Sequence, residues 1–171
     1  MLRLAKAFLD IALWRRTPAQ LPASRLLLAL VVGAAALMEV LGAFLPPGPS
    51  DGILVRVAMG VGLPLAFTWA VLALARRRER FLQTASALLG VGVLAEIVLY
   101  PLAAVLRLMG EDRMVSIPIG LLLYVALIWY LLACAHIWRA ALDSGLLLGG
   151  LISVGYLVLS IALEQQMLPP T

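Results

Sequence analysis

Cysteine and histidine are almost absent. The 171 residues hold one of each, Cys134 and His136. A single thiol closes no internal disulfide and supplies no paired-cysteine redox or zinc site. One imidazole without thiols or carboxylates beside it makes no metal centre. Charge is scarce too, at 13% of residues against about 25% in soluble domains. HExxH, a P-loop and a Gly-rich dinucleotide turn are all missing, so no catalytic residue, metal or cofactor is assigned. Apolar surface fills the space instead, with 64% hydrophobic residues and a mean hydropathy of +1.06. A soluble domain near this size buries only about 70% of its chain surface. The composition excludes a soluble enzyme, a disordered tail and a secreted disulfide scaffold. It specifies an integral membrane protein.

A helix needs about 20 mostly apolar residues to cross a hydrocarbon core of ~30 Å. Five runs qualify: Leu26–Leu45, Ile53–Ala75, Leu82–Leu102, Ile117–Trp138 and Leu146–Leu163. Backbone polar groups in lipid must be satisfied internally, so these runs are helices. The expected fold is all-α, a polytopic five-helix bundle over residues 23–171, after an N-terminal segment at 1–22. Pro46-Pro47-Gly48-Pro49-Ser50-Asp51-Gly52 makes a tight turn between the first two spans. Arg76-Arg77-Arg78-Glu79-Arg80 and Gly110-Glu111-Asp112-Arg113 are charged loops. Asp143 or Ser144 is the expected N-cap of the last span. Pro64 and Pro118 fall inside or at the start of spans, and Pro101 is expected to end one.

Thirteen Lys and Arg against nine Asp and Glu give a net charge of +4. With the N-terminus inside, ten of the thirteen fall on the cytoplasmic side: Arg3, Lys6, Arg15, Arg16, Arg25, Arg76, Arg77, Arg78, Arg80 and Arg139. Only Arg56, Arg107 and Arg113 fall outside. The positive-inside rule therefore places the N-terminus in the cytoplasm and Pro169-Pro170-Thr171 outside. The basic cytoplasmic face, Arg15, Arg16, Arg76, Arg77, Arg78 and Arg80, is expected to meet anionic headgroups rather than nucleic acid. Residues 1–16 do not read as a signal peptide, because no small-residue cleavage site follows the first long run. Leu4, Ala5, Phe8, Ile11 and Ala12 recur at helical spacing, which predicts an amphipathic helix on the cytoplasmic leaflet held by Phe8, Ile11 and Trp14. Thr17 to Pro22 then break it.

Ionisable groups inside a span cost roughly 2.5–3.5 kcal/mol each on insertion scales. Glu39 and Glu96 both lie about 20 Å from the cytoplasmic end at 1.5 Å per residue. Arg56 enters from the opposite side at similar depth, so an Arg56–Glu39 pair with Glu96 nearby is expected. Such a cluster is either a polar clamp for helix packing or a protonatable pair on an ion path. Expected lining of Gly, Ala, Leu and Val favours the clamp. A faint repeat relates Gly33-x3-Leu37-x-Glu39-Val40 to Gly90-x3-Leu94-x-Glu96-Ile97 at an offset of 57, which also relates Arg56 to Arg113. His136 reads as a helix-terminal histidine at the negative end of the dipole, and Cys134 as a small packing residue. Gly60-Val61-Gly62, Gly90-Val91-Gly92 and Gly149-Gly150 permit close helix approach.

Arg80-Phe81-Leu82-Gln83-Thr84-Ala85-Ser86-Ala87-Leu88-Leu89-Gly90, and His136-Ile137-Trp138-Arg139-Ala140-Ala141-Leu142 leading to Gly155-Tyr156, resemble the YIP-domain family in its bacterial inner-membrane members. The opening Trp14-Arg15-Arg16-Thr17-Pro18-Ala19-Gln20-Leu21-Pro22 is similar to their pre-span stretch. The resemblance implies a multi-pass bacterial inner-membrane protein. The Asp-Leu-Tyr-Gly-Pro loop of the eukaryotic relatives is missing, so their GTPase binding does not carry over. The expected function is non-catalytic: a scaffold, assembly factor or accessory subunit contacting a membrane-protein partner or a second copy through its helices. The alternative is a small transporter or channel using Glu39 and Glu96.

Overall fold

The computed structural model describes residues 2–44, 52–109 and 113–167. A short helix, α1 (Leu2–Ala12), precedes five helices long and apolar enough to cross a membrane. These are α2 (Arg25–Ala43), α3 (Ile53–Leu74), α4 (Phe81–Leu108), α5 (Arg113–Leu142) and α6 (Leu146–Met167). The turn expected at Pro46–Asp51, residues 110–112 of the second charged loop and the C-terminal tripeptide lie outside the described residues.

Helix α4 is the central post, packed against α1, α2, α3 and α5. Its residues Thr84 through Val91 are buried on every side. Most are small, which lets several backbones approach one helix, the way membrane bundles gain dispersion contact without a hydrophobic driving force. Helix α6 is peripheral and runs along α5. Gly149 sits so close to the Ala135 carbonyl that a Cβ there would overlap it.

One proline behaves differently from expectation. Pro101 does not end α4, which continues to Leu108. Pro118 lies inside α5. A proline removes one helical hydrogen bond and crowds the carbonyl four residues back. In an apolar medium, leaving the helix would orphan many more backbone groups, so the helix carries on. Pro64 has a larger effect, since it deprives the Gly60 carbonyl of its usual donor. The preceding segment, Ala58–Gly62, widens into a π turn, with the Leu63 amide reaching back to the Ala58 carbonyl. Single π turns inside α-helices mark functional sites with some frequency.

The chain reverses three times at one end of the bundle by a shared device. Trp14, Arg76 and Asp143 adopt left-handed φ values of 63°, 57° and 49°. Each follows a helix by two residues or fewer, and the next amide bonds five residues back: Arg15 to Asp10, Arg77 to Leu72 and Ser144 to Arg139. These are Schellman-type stops built without glycine. The first of them ends α1 before the Thr17–Pro22 stretch credited with the break. The expected N-cap of α6 is also corrected, because Asp143 terminates α5 instead. Its carboxylate receives Arg77 and, at 2.9 Å, Arg80. The Ser144 hydroxyl is buried without a hydrogen-bond partner.

Around these stops the packing is dense. Ile11, Leu72, Ala87, Val91, Ala133 and Ile137 are fully buried there. The apolar face of α1 is spent on protein: Ile11 is enclosed and the Phe8 ring occupies the space a Cβ at Gly90 would need. An amphipathic stripe does not distinguish a lipid surface from the end of a bundle, and here it caps the bundle. Trp14 stacks on His136 with ring centroids 5.2 Å apart. His136 Nε2 lies 3.1 Å from the Arg16 carbonyl oxygen, which can only accept, so this nitrogen carries the proton. Gln83 donates to the Leu21 carbonyl at 2.8 Å and fastens the linker. His136 is thus a clasp for the N-terminal segment.

Candidate functional site

Toward the other end the helices separate around a cavity of about 250 Å³ lined by all five spans. Glu39 comes from α2, Arg56, Met59 and Gly60 from α3, Glu96 from α4, Tyr130 and Cys134 from α5, and Tyr156, Ser160 and Glu164 from α6. The three residues singled out from the sequence, Glu39, Arg56 and Glu96, therefore share one wall-to-wall space.

Local structure explains the placement of Glu39. It sits four turns into α2 and points at the π turn of α3, where Gly60 leaves room. A Cβ at Gly60 would overlap the Glu39 carboxylate. Tyr100, one turn beyond Glu96 on α4, is the hydrogen-bonding neighbour of that carboxylate.

The expected Arg56–Glu39 contact pair is not formed. Ion pairs within 4 Å join Asp10 to Arg16 at 3.4 Å, and Asp143 to Arg77 and Arg80, but not Glu39 to Arg56. Arg56 acts on Glu39 through space instead, and Glu39 acts in turn on Glu96. Arg56 Nε and Glu96 Oε2 are buried atoms with no hydrogen-bond partner.

Three features were not anticipated. Glu164 lines the same cavity, beyond the expected end of the last span at Leu163; α6 runs on to Met167. The lining also holds Tyr130, Tyr156, Thr68, Ser153 and Ser160, more polar than Gly, Ala, Leu and Val alone. Cys134 is buried and has the Tyr130 hydroxyl as its hydrogen-bonding neighbour, a polar contact beyond simple packing. Among the described residues no three His, Cys, Asp or Glu converge as a metal would require. The glutamates are spread around a wall.

The arginines of the expected basic face lie at the opposite, dense end, and most are engaged there. Arg80 donates to the carbonyls of Ala140 and Ala141 at 3.1 Å each, closing the C-terminus of α5. The Arg78 guanidinium lies 5.4 Å from the centroid of the Trp69 ring, a cation–π arrangement typical of an interfacial aromatic. Arg16 is paired with Asp10. Arg15 and Arg76 are exposed. Asp143 has its carboxyl held below the ordinary aspartate range, first by the hydrogen bond from Arg80 and then by that from Arg77.

Compared with known proteins, the chain matches no family model, no curated protein and no solved structure.

Proposed function

We propose that the chain is a non-catalytic membrane protein of transporter or channel type, whose cavity carboxylates receive a small cationic or protonatable species partway through the bilayer. One observation carries this reading. Glutamates from three different helices face one cavity, with a single arginine among them. Ionisable groups at such depth are expensive and usually mark a pathway or a counter-ion site. The excess of carboxylate leaves a demand for positive charge that protons or a cationic solute would meet. The scaffold reading leaned on a sparsely polar interior, and the tyrosine, serine and carboxylate lining weakens that support.

The test is flux into proteoliposomes holding the purified chain, followed with a pH-sensitive or cation-sensitive dye. Glu39→Gln with Glu96→Gln should abolish flux while leaving insertion intact. Wild-type vesicles no leakier than empty ones would sink the proposal. A scaffold role retains one supporting observation: α6 is packed along α5, and its final turns are exposed almost all the way round. Purification in mild detergent followed by mass spectrometry of co-purifying chains tests that reading.

The location belongs to the same proposal. The basic end, with α1, faces the cytoplasm and contacts anionic headgroups of a bacterial inner membrane, and the C-terminus lies outside. The resemblance to bacterial YIP-domain proteins accords with this plan. Alkaline phosphatase fused after Thr171 should be active and in the Arg76–Arg80 loop inactive; the reverse pattern refutes the orientation.

A further inference from the structure

The cavity has one loosely packed side. Helix α6 packs along α5 and has no extended packing on α3. The two meet through Phe67 and Tyr156, whose ring centroids are 5.2 Å apart. Trp138 stands edge-on to Phe67 at 6.1 Å, so an aromatic cluster closes the cavity toward the dense end. Beyond that cluster an apolar groove runs along α3, lined by Leu54, Val55 and Leu63, and meets α6 at Met167. Met59 borders both groove and cavity. At Met59 a single side chain therefore stands between the polar chamber and a surface that lipid chains cover.

What fits such a site is an amphiphile, with chains in the groove and head in the chamber. The chamber specifies the head. Its carboxylates call for a cation, and Arg56 calls for an anion. The two orphaned atoms make the same demand, since Glu96 Oε2 lacks a donor and Arg56 Nε lacks an acceptor. Buried polar atoms normally have partners. A head carrying an ammonium and a phosphate satisfies both at once, whereas a purely anionic head would meet an excess of carboxylate. We propose that the groove and cavity together form a lateral site for an aminophospholipid, a lipid with an ammonium-and-phosphate head that enters between α3 and α6. This rests on the reading that the carboxylate cavity is the working site, and it names the substrate class.

The experiment is native mass spectrometry of the full-length chain, released from mild detergent after incubation with defined probes. These are phosphatidylethanolamine, phosphatidylglycerol with the same chains, and free ethanolamine. One phosphatidylethanolamine should be retained over phosphatidylglycerol by about tenfold, the effect of one charge-assisted hydrogen bond. Glu96→Gln should lower that preference by a similar factor, and Arg56→Gln, which removes the partner of the phosphate common to both lipids, should lower retention of both. Ala58→Trp, at an exposed position on the groove, should block retention without altering any charge, with the melting midpoint checked for each variant. Leu122→Ala, on an exposed face of α5 that lines neither groove nor cavity, should change nothing. Equal retention of the two lipids, or retention indifferent to Glu96→Gln and Ala58→Trp, overturns the proposal. Free ethanolamine binding in a Glu96-dependent way while the lipid does not also overturns it, but leaves the transporter reading standing.

Discussion

The two halves of this bundle are built to opposite rules. Around the basic end, α1, the linker and the ends of α3, α4 and α5 interlock through fully buried side chains, three left-handed helix stops and a set of arginine and histidine bonds to carbonyls. Toward the other end the same helices stand apart around a cavity, and the charges there face space more than one another. The sequence composition of the two halves is similar, chiefly Leu, Ala, Val and Gly. The difference lies in where the small residues fall. On α4 the run from Thr84 to Val91 draws neighbours in, and beyond it Glu96 and Tyr100 hold them off. In lipid, helix association depends on close packing and interhelical polar contact. The dense half therefore supplies stability, and the open half is free to be used.

That contrast predicts unequal responses to the same mutation. Ile137→Ala, at a site with no exposure, should destabilise the bundle by about 2–3 kcal/mol. This is the lower part of the range for buried isoleucine, because lipid chains are as apolar as the group removed. Ile97→Ala, on an outer face of the open half, should stay within roughly 0.5 kcal/mol. Reversible unfolding in mixed detergent micelles measures both, and similar losses would erase the distinction. Gly90→Val comes next. It drives a methyl into the Phe8 ring, and overpacking of this kind should cost about 1–3 kcal/mol. Release of α1 should accompany it, seen as faster proteolysis between residues 13 and 24. In the open half, a double-mutant cycle on Glu39 and Arg56 should give coupling below the ~0.6 kcal/mol average for interhelical polar contacts. A larger value would mean the two groups close on each other.

The five spans were legible because an apolar run of about 20 residues has few other uses. Glu39, Arg56 and Glu96 were legible for the converse reason, as charges where lipid permits few. Glu164 was hidden by one residue, since the run was ended at Leu163. The lack of a breaker before Pro169 was the signal that the helix continues. Tyr130, Tyr156 and Ser160 were not legible as lining, because a helix apolar all round does not reveal which side faces a cavity. The destination of α1 was hidden likewise: Phe8 and Ile11 suit a leaflet or a bundle end equally well. Pairing of Asp143 with Arg77 and Arg80 requires knowing which helix ends meet, and these partners lie more than 60 residues apart.

That last pairing yields the smallest expected effect, and it sharpens the comparison from the dense side. Asp143 is exposed, so screening by water and salt limits its weight. Its folded carboxyl is nonetheless depressed by the hydrogen bonds from Arg80 and Arg77. A depressed carboxyl contributes stability that is present above the unfolded aspartate value of about 3.9, and loses it as pH falls through the folded value. Wild-type melting should therefore decline from about pH 5 downward more steeply than that of Asp143→Asn. At neutral pH the variant should melt slightly lower than wild type. Arg77→Gln alone should keep most of the acid sensitivity, because Arg80 still holds the carboxylate; Arg80→Gln should remove more of it and also uncap α5. Parallel acid profiles for wild type and Asp143→Asn would show that the dense end owes its order to packing alone, with the arginine–aspartate contacts merely riding on it.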